Sequence, residues 1–102
     1  MYIHYLDGRE DVARVEIPPN QRDISLTDFG LSQLESVWLT TLCWSDGSLE
    51  AMTKVGGPFV IRRRFKFFVT KMRPDGIYSL RGGDVLEVSA AGQQVYRFRV
   101  EG

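Results

Sequence analysis

Residues 59–72, FVIRRRFKFFVTKM, set three consecutive arginines and a lysine among phenylalanine rings. Because alternate residues of an extended strand share a face, this stretch would present a row of cations followed by a ring. The C-terminal segment VYRFRV also places arginines on one face. If the two strands are neighbours, their surface resembles in composition the grooves that bind single-stranded nucleic acid, with cations for phosphates and rings for bases. The residues of this candidate polyanion-binding face are Arg62, Arg64, Lys66, Phe68, Arg97 and Arg99.

The same pattern fits an ordinary solvent-facing side of a sheet. Cations on the outer face keep sheets soluble and oppose pairing of edge strands. The formal net charge is zero, whereas nucleic-acid-binding modules are usually basic. An acidic protein surface is a third partner that a basic stripe would fit. We therefore favour the solvent face, and keep polyanion binding and an acidic protein partner as alternatives.

The opposite face of this stretch contains one anomaly. Arg63 lies between Ile61 and Phe65 on the side predicted to face the core, where an unpaired charge is costly. A single strand over residues 59–73 would also span about 50 Å, more than strands usually reach. A bend or bulge near residues 62–64 is predicted because it would resolve both problems.

A second feature is the segment VWLTTLCW, residues 37–44, which is apolar on both faces. Strands of this kind are buried on both sides, and so short a chain has little left to cover both. Either the rest of the chain or a second subunit covers the outer side. The second alternative predicts a protein interface made by Trp38, Leu42 and Trp44, most simply in a homodimer. Cys43, between Leu42 and Trp44, is predicted to be a buried, inert thiol.

Candidates for catalysis or metal binding are few. His4 is the only histidine and Cys43 the only cysteine, and no spacing typical of a tetrahedral metal site is present. No residue pair combines a base with a nucleophile, and no glycine-rich phosphate loop follows a strand. The sequence thus predicts no bound metal and no cofactor. It favours a non-enzymatic protein over an enzyme. A small-molecule cavity inside a barrel, lined by Tyr2, His4 and Tyr5, is a third hypothesis.

Turn residues punctuate the chain at short intervals, including Asp7-Gly8, Pro74-Asp75-Gly76 and Ala91-Gly92. Between them lie alternating segments rich in β-branched and aromatic residues. This predicts a mainly β chain, an α+β fold with one short helix, forming an antiparallel meander, roll or small barrel of about six to eight strands. The helix, of roughly ten residues at most, is predicted in DISLTDFGLSQLES, residues 23–36, where Leu31 and Leu34, followed by Val37 or Trp38, recur at helical spacing and Ser25 or Thr27 could cap the start.

Length and charge limit the remaining possibilities. A chain of 102 residues predicts a single domain over residues 1–102, with 43% apolar and 25% charged residues, as is usual for folded proteins. No apolar run is long enough to span a membrane and no secretory signal is evident, so the expected location is the cytoplasm and no membrane partner is expected. Residues 1–50 hold three arginines against nine carboxylates, and residues 51–102 hold ten cations against four. The two halves therefore carry opposite charge.

Three function hypotheses follow from these patterns. The leading one is a small non-enzymatic interaction domain that self-associates or docks to a larger protein through the tryptophan segment. The alternative is polyanion or single-stranded nucleic-acid binding through the basic and aromatic face. Small-molecule binding in a barrel cavity is the third.

Overall fold

The computed structural model describes residues 1–8, 10–31, 36–54, 59–90 and 94–101. These contain ten strands and one turn of 3-10 helix, Leu26–Phe29. The strands are β1 (Tyr2–Asp7), β2 (Glu10–Glu16), β3 (Arg22–Ser25), β4 (Val37–Ser45), β5 (Ser48–Thr53), β6 (Phe59–Phe65), β7 (Phe68–Lys71), β8 (Ile77–Arg81), β9 (Val85–Ala90) and β10 (Gln94–Glu101). The prediction of a mainly β, antiparallel chain is confirmed, with more strands than the six to eight expected.

The strands form two antiparallel sheets. The order in the six-stranded sheet is β2-β1-β10-β9-β6-β7, and in the four-stranded sheet it is β3-β4-β5-β8. The sheets do not close into a barrel, so that alternative for the fold is wrong. The ends of the six-stranded sheet are β2 and β7, and each therefore has one edge that no strand of the described chain pairs with.

The hairpins at the two ends of the chain follow from local sequence. β1 and β2 pair across the Asp7-Gly8 turn, where Gly8 adopts a φ of 66° that suits glycine. β9 and β10 pair antiparallel, and residues 91–93 between them lie outside the described residues. In β10 the predicted alternation holds, because Tyr96, Phe98 and Val100 are buried and Arg97 is exposed.

Both sheets contribute to one hydrophobic cluster, in which three aromatic rings pack against Phe98. Its ring centroid is 4.7 Å from that of Phe29 in the 3-10 helix and 4.8 Å from that of Trp38 in β4. Tyr5 of β1 packs on it at 5.6 Å. The helix and the four-stranded sheet thus meet the six-stranded sheet around a single aromatic side chain.

The predicted helix is shorter and earlier than expected. Ser25 is its N-cap, as predicted, and the backbone N–H of Ser25 donates to the carboxylate of Asp28 at 2.9 Å. Gly30 ends the helix with a φ of 71°, since glycine reaches the left-handed region at little cost. Val37 and Trp38 belong to β4 and not to a helix, and Leu34 lies outside the described residues. The prediction that the helix reaches Val37 or Trp38 is therefore wrong.

Candidate interaction surface

Residues 59–71 form a hairpin instead of one long strand. β6 and β7 pair antiparallel with Phe65 opposite Phe68 and Arg64 opposite Val69. Lys66 and Phe67 form the turn, in which Lys66 adopts a φ of 54°, a conformation that is uncommon for residues other than glycine. The sequence predicted a bend or bulge near residues 62–64, but the strand is interrupted by a full turn at residues 66–67.

This turn places Phe68 on the face opposite the predicted one. Phe68 pairs with Phe65, so both rings share a face with Arg63 and Thr70. Arg62 and Arg64 point to the other face, together with Val69 and Lys71. The predicted grouping of Phe68 with Arg62 and Arg64 is therefore wrong. Lys66 belongs to the turn, and its Nζ lies 5.5 Å from the centre of the Phe65 ring.

The two arginine strands share an outer face but are not neighbours. β9 lies between β6 and β10, and Glu87 of β9 is opposite Arg62 on one side and Arg97 on the other. One carboxylate oxygen of Glu87 is 3.3 Å from Arg64 and the other is 3.2 Å from Arg97. On the same face, Arg99 lies 2.9 Å from Asp11. Carboxylates within the sheet thus engage three of the cations that the sequence suggested for a polyanion.

Arg63 is partly exposed and extends towards the other sheet. Its Nη1 donates to the backbone carbonyl of Ser79 in β8 at 3.0 Å. Its guanidinium carbon lies 5.8 Å from the centre of the Tyr78 ring, within the range of a cation–π contact. Arg63 therefore bridges β6 and β8, and its place on the inner side of β6 requires no buried, unpaired charge.

The tip of the hairpin exposes large apolar side chains. The exposed fraction is 96% for Phe67, 74% for Phe68, 47% for Phe65 and 46% for Val69. Together with Lys66, these residues are called the hairpin surface. The candidate site predicted from sequence included Phe68 but missed Phe67, Phe65 and Val69. The signal was present in FKFF, because alternation along one strand would leave at least one of its three rings on the outer face.

A groove of about 390 Å³ runs beside the hairpin surface, between the hairpin and β8. Its lining combines two rings, two guanidinium groups and two hydroxyls: Phe65, Phe68, Arg63, Arg81, Thr70 and Ser79. Asp84 also borders the groove, but it is buried and its carboxylate accepts a hydrogen bond from the backbone N–H of Arg81 at 3.0 Å. Residues 59–81 contain seven cations and one carboxylate, Asp75, so the groove and the hairpin surface lie in a strongly positive part of the chain.

The residues predicted to form an interface in β4 are mostly held within the fold. Trp38 is completely buried against Phe98, so it belongs to the core and its assignment to an interface is corrected. Its indole N–H has no hydrogen-bond partner among the described residues. Trp44 is half-buried, and its Nε1 donates to the carbonyl of Ile17 at 2.9 Å. Leu42 is also half-buried. Of the two alternatives that the sequence left open, cover by the rest of the chain thus accounts for most of these side chains.

A bulge in β4 exposes Cys43. Thr41 pairs with Ala51 and Cys43 pairs with Glu50, which leaves Leu42 as an extra residue without a partner in β5. This extra residue reverses the alternation that the sequence suggested. Cys43 is consequently exposed, with its Sγ 3.9 Å from a carboxylate oxygen of Glu50. The prediction of a buried thiol is wrong.

The three residues of the predicted cavity lie on two faces of β1. Tyr2 and His4 lie on the outer face of the six-stranded sheet, where the guanidinium of Arg14 stacks over the Tyr2 ring at 4.7 Å. His4 is buried between two carboxylates, with Nε2 against Glu101 and Nδ1 3.5 Å from Asp11. Tyr5 faces the core, and burial, followed by the charge of Asp7 and by Tyr96, raises the pKa of its phenol. The structure does not bring Tyr5 together with the other two residues.

Comparisons of the chain with protein-family models, with curated proteins and with solved structures found no significant match. In the described part of the chain, no helix has the length and apolar character needed to cross a membrane.

Proposed function

We propose that this chain is a non-catalytic protein-interaction domain that docks a partner through the hairpin surface. The observation that carries the proposal is the exposure of three phenylalanine rings at one hairpin tip, with Val69 exposed on the opposite face of the hairpin, in a segment with seven cations. Exposed apolar patches on monomeric proteins are limited in area, and the larger ones often mark interaction sites.

The energetics favour a contact role for these rings. Burying a phenylalanine side chain contributes about 1.5–3 kcal/mol, and in this fold Phe67 and Phe68 gain little of that contribution. Aromatic residues are enriched at the centres of protein interfaces, and arginine is enriched with them. The hairpin surface and the arginines beside it have this composition. A partner that covers Phe67 and Phe68 would therefore recover stabilisation that the isolated fold leaves unused.

The charge favours an acidic protein over a second copy of the chain. Two hairpin surfaces brought together would place two strongly cationic segments side by side, and such juxtaposition is costly. A partner with carboxylates at the rim of its apolar patch would instead be attracted. Of the partners considered from sequence, docking to another protein is thus favoured over a homodimer.

Polyanion binding stays a second candidate because of one observation. Lys71, Arg62, Glu87 and Arg97 form a row across the outer face of the six-stranded sheet, with three cations for one carboxylate. Nucleic acid bound there would contact the outer face, whereas the exposed rings lie at the tip of the hairpin. Position-specific cross-linking can separate the two candidates.

The test replaces Phe67 with the photoreactive residue benzoylphenylalanine, and the matched control replaces Val12, an exposed residue at the opposite edge of the six-stranded sheet. After irradiation in the cells that produce the protein, we expect protein adducts of defined mass from position 67 and few from position 12. Adducts mainly with nucleic acid from position 67 would contradict docking of a protein at this surface, and would place a polyanion at the hairpin tip instead of on the outer face of the sheet. Equal adduct patterns from both positions would contradict docking at the hairpin surface.

A further inference from the structure

The free edge of β7 presents backbone groups that no other strand uses. The backbone N–H of Met72 donates to the carbonyl of Ile61 at 2.9 Å. Hydrogen-bonded pairs alternate along an antiparallel ladder, so Thr70–Arg63 and Phe68–Phe65 are the other bonded pairs of the hairpin. The N–H and C=O groups of Val69 and Lys71 therefore point away from β6. In the described residues β7 is the last strand of its sheet, and no strand pairs with this edge.

We infer that β7 accepts an extended segment of a partner protein as a seventh strand of this sheet, and that acidic and apolar residues alternate along that segment. The inference rests on the proposed function and adds to it the backbone contact and the chemistry of the partner. Strand addition of this kind obtains affinity from main-chain hydrogen bonds and specificity from alternate side chains.

The outer face of the hairpin selects the acidic residues. Lys71 is directly opposite Arg62, and like charges in opposite positions destabilise a strand pair. Arg62 has Glu87 as its other neighbour, but Glu87 already contacts Arg64 and Arg97. Lys71 has no carboxylate on its free side among the described residues, because the sheet ends there. An acidic side chain of the added strand beside Lys71 would supply that charge.

The inner face of the hairpin selects the apolar residues. Side chains of the added strand that alternate with the acidic ones would lie beside Phe68 and Thr70, at the mouth of the groove. The Phe68 ring is 74% exposed there, and the Phe65 ring lies next to it. Apolar side chains at these positions would cover both rings. The two faces of the hairpin together thus favour an added strand in which acidic and apolar residues alternate.

A second copy of β7 does not satisfy these requirements. Its own edge carries Lys71, its turn carries Lys66, and Arg73 follows the strand, so self-pairing would add cations where carboxylates are needed. Lysine on an edge strand is a common means of preventing this kind of self-association.

The test uses a fluorescein-labelled peptide with the sequence Glu-Val-Glu-Leu-Glu-Val-Glu, and measures binding by fluorescence anisotropy at two salt concentrations. V69P removes the outward N–H of Val69 and leaves the bonds from β7 to β6 intact, and proline is tolerated at such edge positions. The control V69T changes the same side chain and keeps the N–H. We expect the wild-type chain and V69T to bind the peptide, and V69P to bind it about tenfold more weakly.

A second measurement keeps the protein unchanged, in case V69P folds poorly. Methylation of the backbone nitrogens at alternate residues of the peptide removes the complementary hydrogen bonds, which the peptide N–H groups would donate to the outward carbonyls of Val69 and Lys71. We expect one of the two methylation phases to abolish binding. Equal binding by V69P and V69T, or by both methylated peptides, would overturn strand addition. So would failure of the wild-type chain to bind this peptide. In those cases, defined protein adducts from position 67 would still support the proposed docking surface, which separates the two failures.

Discussion

At the scale of single residues, one extra residue in β4 decides which side chains reach solvent. Leu42 has no partner in β5, so Cys43 lies opposite Glu50 on the outer face. Period-two reasoning from the sequence could not locate the bulge, because the two faces of residues 37–44 have the same composition, with three apolar residues and one threonine each. Whether the only thiol is buried or exposed therefore depends on a pairing register that the local sequence does not specify.

The exposure of Cys43 predicts rapid reaction with a thiol reagent in the folded state. We expect the native chain to release one equivalent of thionitrobenzoate from Ellman's reagent at a rate within about tenfold of the rate in denaturant. A buried thiol reacts only when the protein opens, so it would be slower by orders of magnitude. Reaction that requires denaturant would contradict the bulge.

The two tryptophans of β4 should differ in their contributions to stability. Trp38 is completely buried against Phe98, so Trp38→Ala should lower the free energy of unfolding by about 3–5 kcal/mol. Trp44 is half-buried and has one hydrogen bond to Ile17, so Trp44→Ala should cost about 1–2 kcal/mol. Urea unfolding followed by circular dichroism measures both values. A Trp38→Ala variant as stable as the wild type would restore its assignment to an interface.

At the scale of elements, the turn between β6 and β7 is the one that the sequence indicates least clearly. Lys66 and Phe67 are not turn formers, and the continuous run FKFFVTK looks like a strand. The Asp7-Gly8 hairpin and the alternation in β10 could be predicted, because glycine and strict period-two patterning act locally. The insertion of β9 between the two arginine strands could not, since pairing between distant strands leaves no local pattern.

The left-handed conformation of Lys66 predicts opposite effects of two substitutions. Lys66→Gly removes the steric cost of a φ of 54° and should leave stability unchanged or raise it by up to about 1 kcal/mol. Lys66→Val should lower it by about 1 kcal/mol or more, because a β-branched residue fits this region poorly. Both variants lose the same charge, so the difference in stability between them reports the cost of the backbone conformation at position 66. If the valine variant is the more stable of the two, the turn does not lie at residues 66–67.

At the scale of the whole molecule, a zero net charge conceals a local imbalance. The segment with seven cations and one carboxylate supplies the hairpin and β8, and Glu87 of β9 is the carboxylate that holds Arg64 and Arg97 on the neighbouring face. The split between the two halves of the chain was visible in the sequence. The concentration of positive charge around one exposed hairpin could not be predicted, because it depends on how β6, β7 and β8 are placed in the sheets.

Removal of the central carboxylate should make stability depend on salt. Glu87→Gln leaves Arg62, Arg64 and Arg97 close together, so we expect a loss of about 1–2 kcal/mol in the free energy of unfolding at low ionic strength. The loss should become smaller at 1 M NaCl, where screening acts over about 3 Å. Glu50→Gln, at an exposed position in the other sheet, is the matched control and should have little effect. A salt-independent loss would mean that Glu87 acts through packing and not through its charge.

The most direct test of docking at the hairpin surface is hydrogen exchange of the wild-type chain with and without the partner captured at position 67. We predict that the amides of residues 64–71 become protected in the complex, while those of β2, at the opposite edge, keep their free-state rates. Protection confined to β2 or β4, or unchanged exchange across the hairpin, would contradict it.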